Sequence, residues 1–77
     1  MTLEQMQAAT ISHWRENYPE ALKKLGTEMA MRQARACANL TRMEMDTLMA
    51  GGLDEATAWV EARNLFCLTP PPEIEED

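Results

Sequence analysis

The stretch TEMAMRQARACANLTRMEMDTLMA, residues Thr27–Ala50, decides the fold of this chain. It contains neither Pro nor Gly, and the pair Gly51-Gly52 follows it directly. On a helical wheel of about 100° per residue, one third of the circumference holds five of its charged side chains, Glu28, Arg32, Arg35, Arg42 and Asp46. We therefore predict a helix roughly 35 Å long whose apolar surface is too wide for one neighbour to cover.

The small size of the chain suggests what covers this helix. Seventy-seven residues form one small domain, and a core of that size supplies only about 3–5 kcal/mol of stability unaided. Chains of this length often gain stability by oligomerising, so we expect a homodimer built on the long helix. The residues expected in the core or the dimer contact are Ala30, Ala34, Cys37, Leu40, Thr41, Leu48, Trp59 and Phe66.

The segment that follows the glycine pair predicts a second, shorter helix. Asp54 is a favourable capping residue, and the helix it begins runs from Glu55 to about Phe66. Two helices joined by so short a turn pack antiparallel. The expected fold class is therefore all-α, a small helical bundle in which the long central helix, residues 27–50, forms an antiparallel hairpin with the C-terminal helix.

Two further helices are predicted before the long one. Thr2 and Gln5 form a capping box for a helix from Leu3 to about Asn17. A proline follows Tyr18, and the residue before a proline is pushed out of helical geometry, so the chain bends there. The sequence PEALKKL, residues 19–25, then predicts a short helix that Gly26 ends, with Thr27 as the cap of the long helix.

Charge and composition divide the chain further. Residues 15–42 carry six basic and three acidic side chains, whereas residues 43–77 carry nine acidic side chains and one arginine. This asymmetry favours antiparallel self-pairing or a partner with a complementary patch. Residues 1–68 are expected to form a single helical domain. The Pro-rich acidic segment, residues 69–77, is expected to be a disordered tail.

No motif of catalysis or metal binding is present in the sequence. The candidates are His13, Cys37 and Cys67, and no Cys or His spacing typical of a metal site joins them. A nucleophile would also need a base and an orienting acid, and none is suitably spaced. We expect no enzyme activity, no cofactor and no metal. Without a signal peptide or a transmembrane run, the expected location is the cytoplasm.

DNA binding is a second possibility, because two helices around a glycine turn have the form of a helix-turn-helix. The second helix would read the bases in that fold. Here it begins Asp54-Glu55 and would present acid to phosphate, although basic residues dominate DNA affinity. A small transcriptional regulator therefore remains the alternative interpretation, and nucleic acid is not the expected partner.

The pattern LMAGGLDEATAWVEARNLF, residues 48–66, together with the Pro-plus-acid end at 69–77, resembles small helical proteins encoded by bacteriophages and mobile elements. Several proteins of that type bind and disable a host protein, such as a CRISPR effector, a quorum-sensing activator or a pilus motor. The resemblance implies a phage accessory role in a bacterial host. A structural or assembly factor of a phage particle is a further alternative.

The expected function is thus protein binding without chemistry, in which the chain inhibits a host protein by steric occlusion. Met, Tyr and Arg side chains suit such a surface because Met is adaptable and Tyr and Arg dominate binding hot spots. The residues predicted to bind the partner are Arg15, Tyr18, Met31, Arg35, Met45 and Met49.

Overall fold

The computed structural model describes residues 1–72, and every regular element in that range is a helix. The four helices are α1 (Leu3–Asn17), α2 (Pro19–Leu25), α3 (Thr27–Ala50) and α4 (Glu55–Phe66). The predicted all-α class is confirmed. Among these described helices, none combines the length and the apolarity needed to cross a lipid bilayer. The expected acidic tip, residues 73–77, lies outside the described residues.

Local capping explains where the helices begin. The Thr2 hydroxyl accepts a hydrogen bond from the Gln5 amide, and the Gln5 side chain accepts one from the Thr2 amide, so the capping box of α1 is complete. The Asp54 carboxylate accepts from the Thr57 amide at 2.7 Å and caps α4. This hydrogen bond holds the pKa of Asp54 below its ordinary value because it favours the charged carboxylate.

The expectation that Thr27 caps α3 is wrong. Thr27 is the first helical residue, the capping position is Gly26, and no side chain in the described part of the chain caps this end of the helix. The Gly26 carbonyl accepts the first helical hydrogen bond from the Ala30 amide at 2.9 Å. Gly26 joins α2 to α3 with a φ of 82° and a ψ of 157°, a conformation that L-residues with side chains rarely adopt.

Substituting Gly26 with alanine should destabilise the protein through the backbone alone. A Cβ atom at this position would meet no atom within 4 Å, so the cost comes from the positive φ and is of order 1–3 kcal/mol. Gly51→Ala is the matched control, because Gly51 has a φ of −81° and a Cβ there makes ordinary van der Waals contacts. Urea unfolding monitored by circular dichroism compares the two; equal midpoints would contradict the assignment of strain to Gly26.

Helix α3 is the element against which the other three pack. Glu4 Oε1 of α1 pairs with Arg35 Nη1 at 3.4 Å, and the Gln7 side chain donates to the Met31 carbonyl at 2.7 Å. Later residues of α1 therefore meet earlier residues of α3, so the two helices run in opposite directions. No Cα atom of α1 comes within 8 Å of one in α4. The bundle is consequently held together through α3.

The buried side chains form two clusters along α3. The first lies where α4 and the start of α1 meet the second half of α3, and the second lies where α1 and α2 meet its first half. Alanines supply most of the contact from α3 and α4, which lets the helix backbones approach closely. The first cluster consists of Met6, Ala38, Met45, Ala58, Ala62 and Cys67, and the second of Trp14, Leu25, Ala30 and Ala34.

The residues predicted for the core or the dimer contact have different environments in the single chain. Ala30, Ala34 and Thr41 are buried. Leu40, by contrast, is 47% exposed, so it adds nothing to the core of one chain. The remaining members of the predicted set are half-buried, and they are Cys37, Leu48, Trp59 and Phe66.

The chain beyond α4 returns to α1. The indole Nε1 of Trp14 donates to the Thr69 carbonyl at 2.8 Å, and Pro71 is buried. The Cys67 Sγ atom lies 3.9 Å from the Met6 carbonyl oxygen. Residues 69–71 therefore contact the folded body, because an indole donor inside the core needs an acceptor and this segment supplies it. The start of a disordered tail at residue 69 stays a prediction.

Candidate protein-binding groove

An open groove with a volume of about 410 Å³ lies where α1, α2 and the start of α3 meet. A second hollow of about 370 Å³ continues it along α1. The two hollows share Ile11, Arg15 and Met31, so they form one surface, which we call the Arg15 groove. Its other lining residues are Glu4, Gln7, Ala8, Ser12, Pro19, Leu22, Lys23, Gly26, Thr27 and Ala30.

The groove exists because α2 is a short helix between two corners. The first corner is Tyr18, whose φ of −137° and ψ of 53° end α1 before Pro19 begins α2. The second is Gly26 with its positive φ. Seven residues of α2 therefore bridge the ends of two longer helices and leave a hollow beside them.

The floor of the groove is apolar and continuous with the core. Ile11 and Leu22 are half-buried and pack against the cluster that contains Trp14. Ala30 is 1% exposed and contributes to the floor from α3. Because the core fixes these side chains, the floor is preorganised for an apolar group, and binding there costs little side-chain entropy.

Positive charge surrounds that floor. Arg15 and Lys23 are exposed, and none of the ion pairs formed within residues 1–72 includes either of them. Gly26 and Thr27, at the corner between α2 and α3, also line this hollow. A negatively charged group bound here would meet two cations.

One carboxylate lies at the far end of the groove. The amide of Glu4 and the guanidinium of Arg35 hold the pKa of Glu4 below its ordinary value, because both favour the charged form. Glu4 is therefore ionised at neutral pH, and its charge is offset by Arg35 at 3.4 Å. Counting the ion pairs formed by residues 1–72, the unpaired charge of the groove is positive.

The structure brings together two of the six residues predicted to bind a partner. Arg15 and Met31 line the groove from α1 and α3, and Met31 is 45% exposed. Tyr18 is half-buried against the Trp14 cluster, where its ring meets the His13 ring edge-on at 5.8 Å, and it does not line the groove. Arg35 forms an ion pair with Glu4.

The other two predicted residues lie elsewhere on α3. Met49 is 39% exposed near the C-terminal end of the helix, away from the groove. Met45 is fully buried, so its prediction as a partner-binding residue is corrected. Ala58 and Ala62 of α4 leave space beside α3, and the long flexible side chain of Met45 fills it.

The sequence analysis did not predict Ile11, Leu22 or Lys23 as binding residues, although all three line the groove. The available signal was the seven-residue helix between Pro19 and Gly26, since such a short connection forces a corner. A corner between helices is a common place for a hollow.

The surroundings of the two thiols are those of structural cysteines rather than reactive ones. The Cys67 thiol and the Thr41 hydroxyl lie 3.0 Å apart and share a hydrogen bond, while Thr41 also donates to the Cys37 carbonyl at 2.8 Å. Burial raises the pKa of the Cys37 thiol and so disfavours the reactive thiolate. Within residues 1–72, no three His, Cys, Asp or Glu side chains are grouped so that they could hold a metal ion.

The Arg15 groove is suited to binding a ligand rather than to covalent chemistry. An apolar floor with two cations at its edge can hold an apolar side chain next to a carboxylate. Comparison of the chain with protein-family models, with curated proteins and with solved structures finds no match.

Proposed function

We propose that this chain is a protein-binding module that captures an acidic segment of another protein in the Arg15 groove. The observation that carries the proposal is the pairing of a preorganised apolar floor with two cations, Arg15 and Lys23, that no carboxylate of residues 1–72 neutralises. The partner segment would place an apolar side chain on Ile11 and Leu22 and acidic residues beside the cations.

The types of residue in the groove support binding rather than simple solvation. Arginine is enriched in binding hot spots, and methionine adapts its shape to a partner. Complementary charge speeds the encounter and selects the partner, while the apolar contact supplies affinity. A flat solvated helix face would have the charges without the hollow and its fixed floor.

The proposed role is that of a phage-type accessory protein that acts on a bacterial host protein. The support is the resemblance of residues 48–66 and of the Pro-plus-acid end to such proteins. Its mechanism is steric: once the acidic segment is held, the body of the bundle covers the surface that the host protein needs for its own partner. No bond is made or broken.

The acidic beginning of α4 favours a protein over DNA as the partner. Asp54 uses its carboxylate to cap the helix, and Glu55 pairs with the amino group of Met1, which keeps the pKa of Glu55 below its ordinary value. Both carboxylates are therefore charged at neutral pH. A reading helix that begins in this way would repel the phosphates that dominate DNA affinity.

A tagged pull-down from bacterial lysate with mass spectrometry tests the proposal. We expect one dominant host protein to be retained, and Lys23→Glu to weaken its binding about tenfold because the substitution reverses a charge that faces the acidic segment. Lys24→Glu is the matched control, since Lys24 is exposed in the same last turn of α2 and does not line the groove.

Arg15→Glu provides an independent check from the other side of the groove. Circular dichroism first confirms that each variant is folded. If Lys23→Glu and Lys24→Glu reduced binding equally, or if neither Lys23→Glu nor Arg15→Glu reduced it, the Arg15 groove would not be the binding site.

A further inference from the structure

One face of α3 is left uncovered by the rest of the bundle. Its side chains follow one another at alternating intervals of four and three residues, and all are uncharged. Met43 is 65% exposed, Leu40 47% and Met29 40%. We call this face the α3 stripe, and it consists of Met29, Gln33, Ala36, Leu40, Met43, Thr47 and Ala50.

The spacing of the α3 stripe is that of a coiled-coil seam. Alternating steps of four and three are the spacing of the a and d positions of a heptad, the pattern by which two helices pack knobs into holes. Five of the seven stripe residues are apolar, and the other two, Gln33 and Thr47, are uncharged polar residues at a positions. The stripe runs for 21 residue steps, or about 32 Å. It is separate from the Arg15 groove, which no residue of the stripe lines.

The edge of the stripe carries an ordered set of polar residues. With Gln33 and Leu40 at a positions, Arg32, Asn39 and Asp46 occupy successive g positions, so the order along the helix is positive, neutral and negative. Among residues 1–72, Arg32 pairs only with Glu28, and both side chains are so exposed that this pair contributes little. Among the described residues, Asp46 forms no ion pair.

We infer that the α3 stripe is the contact between two copies of this chain, which pack antiparallel about a two-fold axis near Asn39. In an antiparallel pair the g positions face each other, so Arg32 of each copy lies opposite Asp46 of the other, and Asn39 meets its own equivalent. A parallel pair would set g against e positions instead. It would then bring Arg32 beside Cys37 and Asn39 beside Glu44, with no opposite charges matched.

The same register matches side-chain sizes across the contact. It places Met29 against Thr47, Gln33 against Met43, and Ala36 against Leu40, each pair occurring twice by symmetry. A larger residue therefore faces a smaller or more adaptable one in each layer, which is the arrangement that fills a helix interface. Charge and packing thus select one orientation and one register, and a two-fold contact of this kind closes on itself as a dimer.

Sedimentation velocity at micromolar concentration tests the inference. The chain should sediment at twice its mass of 8.7 kDa. Leu40→Asp should give a folded monomer, because Leu40 is exposed in the single chain and its substitution leaves the core intact. Circular dichroism confirms that this variant keeps its helices. A monomeric wild-type chain, or a dimer unaffected by Leu40→Asp, would overturn the inference.

A charge-exchange experiment distinguishes the antiparallel orientation from the parallel one. Arg32→Asp sets two pairs of acids against each other and should raise the dissociation constant about tenfold. The double variant, Arg32→Asp with Asp46→Arg, restores both pairs and should recover the affinity. Absence of that recovery would exclude the proposed register.

These results are independent of the proposed function. The charge variants leave the Arg15 groove unchanged, so loss of the dimer with retained capture of a host protein would concern the α3 stripe alone. If Leu40→Asp instead abolished capture by a chain that sediments as a monomer, the stripe would belong to the host protein's contact and the self-association would be wrong.

Discussion

Replacing Trp14 with alanine should unfold the isolated chain. Trp14 is the largest fully buried side chain, and it fills the cluster formed with Leu25, Ala30 and Ala34. Removing a buried indole costs about 3–5 kcal/mol. A core of this size supplies about the same amount. The expected result is loss of the helical circular-dichroism signal at room temperature, or a melting transition that begins there.

Trp14→Phe is the control that separates packing from hydrogen bonding. Phenylalanine keeps most of the aromatic volume but lacks the Nε1 donor, so the Thr69 carbonyl loses its partner. We expect a folded protein whose free energy of unfolding is lower by roughly 1–2 kcal/mol. Trp59 remains as a fluorescent probe in both variants. If Trp14→Ala melted like the wild type, the indole would not hold the second cluster together.

Met45→Ala should destabilise the chain far more than Met49→Ala. The two methionines lie four residues apart on α3, yet Met45 is fully buried against α4 and Met49 is 39% exposed. Truncating a buried methionine leaves a cavity and costs about 2–5 kcal/mol. The same change at Met49 should cost less than about 1 kcal/mol, because solvent already reaches it.

Urea unfolding of the two methionine variants in parallel measures this difference directly. Both substitutions replace the same residue with the best helix former, so helix propensity cancels in the comparison. A shift of the midpoint for Met45→Ala alone confirms the position of α4 over α3. Equal shifts would mean that the core lies elsewhere on the helix.

Helix boundaries could be predicted because they depend on neighbouring residues. The capping box at Thr2, the proline after Tyr18, the glycine at 26 and the cap at Asp54 each act within a few positions of the chain. The start of α3 is the exception. There a threonine has the right chemistry for a cap, but the preceding glycine already provides the turn.

The burial of individual methionines could not be predicted from the helical wheel. Helix α3 has more apolar circumference than one neighbour covers, so its pattern does not say where α1 and α4 will pack. The alanines of α4 decide that Met45 is covered, while the 4–3 stripe around Leu40 remains exposed. Long-range packing, rather than propensity, distinguishes these residues.

The groove was predictable only in part for a similar reason. Arg15 and Met31 are expected surface residues of two different helices, and both line it. Their meeting with Leu22 and Lys23 depends on the path of α2, which two corners determine. Likewise, composition predicts that residues 69–71 belong to a tail. Composition cannot show that a backbone carbonyl in this segment accepts a hydrogen bond from Trp14.

The return of the chain to α1 affects the order in which contacts form during synthesis. Trp14 is made early, but its hydrogen-bond acceptor, Thr69, follows 55 residues later, and Cys67 reaches Met6 across 61 residues. Contacts of such long range form late and slow folding. A nascent chain can assemble the apolar cluster around Trp14 early, but the indole donor lacks its acceptor until residue 69 has been made. A product stalled before that residue would carry an unpaired buried donor and would be a substrate for chaperones and proteases.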